Sequence, residues 1–140
     1  MNVFSNSFFL ILIILFLAFN DASAEITIIA NKNVPVDSYT KSEIKDIFLG
    51  KIRKYPDKSD IIIYLLWKPD QEEFLHKFIH RSADQYHRYW LNQLFIGEAN
   101  YPIKFRHSEK LMEYVAKTPG AIGFINEKLN TESVKIITVK

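Results

Sequence analysis

Seven residues, IIIYLLW at 61–67, form an unbroken apolar run between two polar stretches, KIRKYPDKSD before it and KPDQEE after it. The run has strand length, and its first residues are β-branched. A strand that is apolar at every position has no face to give to water, so it must be covered on both sides. The chain therefore has to place helices on both faces of a sheet, and the rest of the sequence supplies them.

EITIIA at 25–30 reads as a strand and 31–38 as a loop. TKSEIKDIFLG follows. Thr40 and Glu43 have the spacing of a capping box, Ile44, Ile47 and Phe48 have helical spacing, and Gly50 can take the left-handed conformation that ends a helix. A second helix over 71–80 carries Phe74, Leu75, Phe78 and Ile79 on one face. A third opens at Ser82 with Gln85, carries Ala83, Tyr86, Trp90, Leu91 and Leu94 inward, and stops before Gly97. A short strand is expected at 102–105. Ser108 is expected to cap a helix to about Lys117, and 121–125 and 134–139 read as two further strands. In KTPGAIGFI at 117–125, Pro119 and Gly120 stop a helix, and Gly123 lets backbone pass close to a neighbour. Strands alternate with helices, which is the pattern of an α/β layer on a mainly parallel sheet.

The first 24 residues stand apart. FFLILIILFLAF is apolar and uncharged, and Ala22 and Ala24 form a signal-peptidase pattern. The run is shorter than the ~20 apolar residues of a membrane span. We expect a signal peptide at 1–24 and one domain at 25–140. Removing 24 of 140 residues leaves 116, with 18 basic residues against 15 acidic ones, because Asp21 is the one charge lost. That mild, mixed charge does not suggest a nucleic-acid partner. The chain has no cysteine, which excludes disulfides, thiolate metal sites, a cysteine nucleophile and a lipid anchor at the cleavage site. Export without disulfides points to a bacterial periplasm.

Motifs that carry chemistry are scarce. His76 and His80 have i, i+4 spacing with Glu72 a turn earlier, a pattern that holds metals, but their face is solvated and lacks a third ligand. No serine lies in a G-x-S-x-G turn, and GAIG lacks the Lys and Ser/Thr of a phosphate-cradling loop. We expect no enzyme, metal or cofactor. Helix starts near Thr40, Gln71, Ser82 and Ser108 are candidates for anion binding. Trp67, Trp90 and Phe95 read as core aromatics by size. Trp67 is the exception: it ends a strand, the place where ligands of open α/β sheets bind, and can line a pocket or a partner surface.

Three stretches, VPVDSYTKSEIKDIFLGK at 34–51, YWLNQLFIGEANYP at 89–102 and YVAKTPGAIGFI at 114–125, together resemble the type 2 periplasmic binding proteins of phosphate ABC importers. Phe124 stands where that family has tyrosine, and Tyr55 where it has tryptophan. The resemblance spans nearly all of 26–128. It implies a periplasmic, non-catalytic, solute-binding α/β fold: one lobe, with a mostly parallel central sheet of about five strands flanked by helices. Full-length members have two lobes, and this chain is similar to the second, as in a set of single-domain forms. The family's arginine and Ser-Gly-Thr turn are replaced here by WKPDQEEF, where Lys68 is the lone cation and Asp70, Glu72 and Glu73 repel a dianion. The resulting expectation is weak binding of phosphate or another small anion at an edge built from Trp67, Lys68 and Gln71 with Asn31 and Asn33. The alternative is an interaction module for an envelope partner or a homodimer that has lost the anion site.

Overall fold

The computed structural model describes residues 25–97 and 101–140. The expected signal peptide at 1–24 lies outside the described residues. Twelve elements follow one another: β1 (Thr27–Ala30), β2 (Ser38–Tyr39), α1 (Lys41–Phe48), β3 (Ile62–Leu66), α2 (Asp70–Phe74) running into a π-helical turn (Leu75–Ile79), α3 (Ala83–Phe95), β4 (Ile103–Phe105), α4 (Ser108–Lys117), β5 (Ala121–Ile125), β6 (Lys135–Ile136) and β7 (Thr138–Val139).

Five strands form one sheet in the order β4-β3-β5-β1-β6, and β2 pairs with β7 separately. β3 is parallel to both β4 and β5. β1 is antiparallel to both β5 and β6. Four strands thus point one way and β1 alone points the other. The expected strand at 134–139 divides between the two sheets, because Ile137 donates its N–H to Ile28 before the chain crosses to β2.

The expected caps of α1 and α3 are present. The Thr40 and Ser82 hydroxyls accept from the N–H of Glu43 and Gln85, and those side chains accept in return. Gly50 follows α1 at φ +69°, and a Cβ there would lie 2.7 Å from the Trp90 ring. Tyr86 and Tyr89 donate their hydroxyls to the carbonyls of Phe48 and Leu49, which closes the end of α1 against α3. Burial raises the Tyr86 phenol above its usual range. Phe74 stacks on Phe124 at 4.0 Å and meets Phe48 edge-on at 4.7 Å, so α1, α2 and β5 share one aromatic centre. Edge-on and offset ring pairs add about 0.5–1.5 kcal/mol each beyond the area they bury.

Several expectations need correcting. Ser108 does not cap α4: His107 holds the cap position without a side-chain bond, and Ser108 is the first helical residue. His80 lies beyond the π turn at φ +57°, so it shares no helical face with His76. No group of three metal-binding side chains occurs among the described residues. Leu91 and Leu94 are exposed, and Phe95 is 90% exposed. The helical period placed Leu91 and Leu94 correctly on one stripe, but α3 turns Ala83, Tyr86 and Trp90 inward and leaves that stripe outside.

Candidate functional site

The two ends of the sheet carry different groups. At the amino ends of β3 and β5, Asn31 is buried and its amide donates to the Val115 and Ala116 carbonyls at 2.9 and 3.1 Å. Its side-chain oxygen accepts from the Asn33 N–H. Asn33 in turn accepts from the Gly120 N–H at 3.2 Å. These two asparagines close the carboxyl end of α4 and the turn before β5. Glycine is required at 120 on two counts: its φ is +80°, and a Cβ would lie 2.4 Å from the Asp60 carbonyl oxygen.

Trp67, Lys68 and Gln71 sit at the other end. β1 runs antiparallel, so its carboxyl terminus at Asn31 lies beside Ala121, where β5 begins, whereas Trp67 follows the last residue of β3. The structure therefore does not bring Asn31 and Asn33 together with Trp67, Lys68 and Gln71. The expected edge assumed that β1 runs with its neighbours. The strand is too short and too uniformly apolar for its direction to be read from its residues.

At the carboxyl ends of β3 and β5, three polar side chains converge from three elements. The Ser108 hydroxyl at the start of α4 donates to Asn126 Oδ1 at 3.1 Å, just past β5. Asn126 Nδ2 donates to Asp70 Oδ1 at 3.2 Å, at the start of α2. Gln71, next to Asp70, is 2% exposed, yet its side chain makes no hydrogen bond to any described residue. Its amide is not sealed from solvent: Trp90 Nε1 is the only fully enclosed, unbonded side-chain N or O among the described residues. A buried amide is costly unless something satisfies it, so Gln71 is suited to meet a group arriving from solvent. With no side-chain cap on α4, its first N–H groups remain available nearby.

Lys68 does not serve this cluster directly. Its ammonium is 2.6 Å from Asp84, and that hydrogen bond raises the lysine pKa and lowers the carboxyl. Trp67 is 48% exposed and lines a groove of about 410 Å³ with His87, Leu91, Tyr101, Pro102 and Lys104. The Lys104 ammonium sits 4.7 Å from the Trp67 ring centre and 5.1 Å from that of Tyr101. The sequence reading missed Asn126 and the non-capping role of Ser108. The signal available for Asn126 was its position immediately after a strand whose carboxyl end faces the ligand side of such sheets.

No model of a known protein family matches the sequence, and no curated protein does. Solved structures do. One is described as a phosphate ABC transporter substrate-binding protein from Clostridium perfringens, with phosphate bound: TM-score 0.63, 22% identity, over 81% of this chain and 44% of that one. Another is PstS from Borrelia burgdorferi: TM-score 0.61, 15% identity, 82% and 47% covered. A third is an ABC-type phosphate transport receptor from Vibrio cholerae: TM-score 0.56, 17% identity, 81% and 45% covered. The described fold is shared with one part of these substrate-binding proteins. This chain spans less than half the length of each of these three. The resemblance read from the three sequence stretches and the fold therefore agree. Identity of this order establishes shared architecture, and what the binding-protein fold does here has to be argued from its own residues.

Proposed function

We propose that this chain is a non-catalytic, exported binding domain that takes a small anion such as phosphate weakly at the carboxyl ends of β3 and β5. The observation that carries the reading is the buried Gln71 amide, which bonds no described residue and adjoins Asp70 in the cluster that reaches the uncapped start of α4. An anion there would meet an amide donor and the positive end of a ten-residue helix, while the Ser108 hydroxyl proton stays on Asn126. The similar solved proteins are named for phosphate binding and transport. Affinity is low for three physical reasons. Lys68 is committed to Asp84, Asp70 adds negative charge at the site, and an open edge buries a ligand on one side only. The leader-like sequence at 1–24 supports export to a periplasm.

The test is thermal unfolding of the purified protein with increasing phosphate, against chloride at equal ionic strength. With a Kd of about 1 mM, about 10 mM phosphate stabilises the folded state by roughly 1.4 kcal/mol, a shift of several degrees. Gln71→Met should fold as well as the parent, because a buried amide without a partner is replaced by an apolar side chain of like size, and it should lose the shift. No shift in the parent, or an undiminished shift in Gln71→Met, sinks this reading.

The exposed surface around Trp67 favours a second reading, a module that contacts another envelope protein. The half-exposed indole ring, next to the apolar stripe on α3, supports it.

A further inference from the structure

α3 presents an apolar stripe that nothing in the described chain covers. Leu91, Leu94 and Phe95 are spaced i, i+3, i+4 and share one helical face, and Ile96 continues it past the helix. Leu91 joins this stripe to the Trp67 groove, because both residues line it. Phe95 is 90% exposed and Trp67 48% exposed. Both aromatics thus stand in water, linked by the exposed Leu91 and Leu94, and exposed apolar clusters of this kind often mark interaction sites.

The charges around the strip have one predominant sign. Lys104 lies over the Trp67 ring. Leu66 is in register with Phe105, and the Trp67 N–H donates to the Phe105 carbonyl, so Arg106 follows beside Trp67. Arg88 lies on the α3 stripe one turn before Leu91 and is close enough to Asp84 to lower its pKa. Asp84 and Glu72 bring negative charge to this rim, and Lys68 pairs with Asp84 and lies within electrostatic reach of Glu72.

We propose that the Trp67–Phe95 strip is a docking surface for an acidic protein segment carrying large apolar anchors. This rests on the second reading above and does not depend on phosphate. The apolar strip would bury the anchors, and the rim of Arg88, Lys104 and Arg106 would meet the flanking carboxylates. Charge decides against a second copy of this chain. In a two-fold contact the same cationic rim would face itself.

The test uses a synthetic peptide of about twelve residues with two Phe and one Leu flanked by Glu, and a counterpart with every Glu replaced by Lys. Binding is followed by indole fluorescence, with the buried Trp90 as internal reference. The acidic peptide should bind and shift the Trp67 signal, and the basic one should bind at least about 10-fold more weakly. Trp67→Ala should weaken binding about 10-fold or more. Phe95→Ser, at a position too exposed to affect folding, should weaken it as well. No binding of the acidic peptide at millimolar concentration overturns the proposal. So does equal binding of the basic peptide, or indifference to both substitutions. Light scattering that finds a dimer broken by Phe95→Ser assigns the strip to self-association and overturns it. Phe95-dependent binding to phosphatidylcholine vesicles containing phosphatidylglycerol, without peptide binding, assigns it to membranes and overturns it too.

Discussion

Asn31 and Gln71 are both buried amides, and they stand at opposite ends of the same sheet. Asn31 uses both ends of its amide, donating to two helix carbonyls and accepting one backbone N–H. Gln71, more deeply buried, makes no bond to a described residue. The groups around them differ in the same way. Near Asn31, Gly120 has no room for a methyl group, the Tyr55 hydroxyl donates to the Gly120 carbonyl, and the Tyr64 hydroxyl donates to Thr118. Near Gln71 lie an uncapped helix start, a half-exposed Trp67 and an apolar stripe on α3. One end satisfies its polar groups internally and serves to hold the fold. The other leaves donors and apolar surface free, and a binding site requires both.

This contrast is most easily broken at Gly120. Gly120→Ala puts a Cβ against the Asp60 carbonyl and an L residue at φ +80°. It should cost about 3 kcal/mol or more in denaturant unfolding, with no change in phosphate response per folded molecule. A neutral Gly120→Ala would mean that this end is not the rigid one.

A smaller effect sharpens the contrast from the other side. Asp84→Asn frees Lys68 next to the Asp70–Gln71 segment. We expect an unchanged melting midpoint, since the pair is exposed, and phosphate binding about two- to three-fold tighter in calorimetry. The sign with pH follows from the lowered Asp84 carboxyl. A carboxylate with a depressed folded pKa contributes its stability above the unfolded value and loses it as pH falls through the folded one. Any stability difference between parent and variant should therefore close below the ordinary carboxylate range. A difference that widens in acid contradicts the pairing.

Much of the architecture was legible in particular residues. Thr40 with Glu43 and Ser82 with Gln85 fixed two helix starts, because a capping box needs only local spacing. KTPGAIGFI was legible as a turn and a close approach: Gly123 would meet Leu111 at 3.0 Å and the Tyr64 carbonyl at 3.1 Å if it carried a Cβ. The direction of β1 was not legible, since alternation of elements does not encode strand polarity, and this split the expected edge. Phe95 was misread because size alone marks an aromatic as core, whereas exposure depends on which side of α3 meets the sheet. The strand-end rule placed Trp67, Lys68 and Gln71 past the carboxyl end of β3, and Gln71 alone of the three enters the proposed anion site. The Ser108–Asn126–Asp70 cluster was not legible, because it joins positions 56 residues apart in sequence.

The most direct test of the central claim is a phosphate titration followed by backbone amide NMR. The account predicts saturable shifts at Gln71, Ser108, Glu109, Lys110 and Asn126, with the amides of Asn31, Asn33 and Gly120 unmoved. Shifts confined to Asn31, Asn33 and Gly120, or spread evenly over both ends, would contradict it.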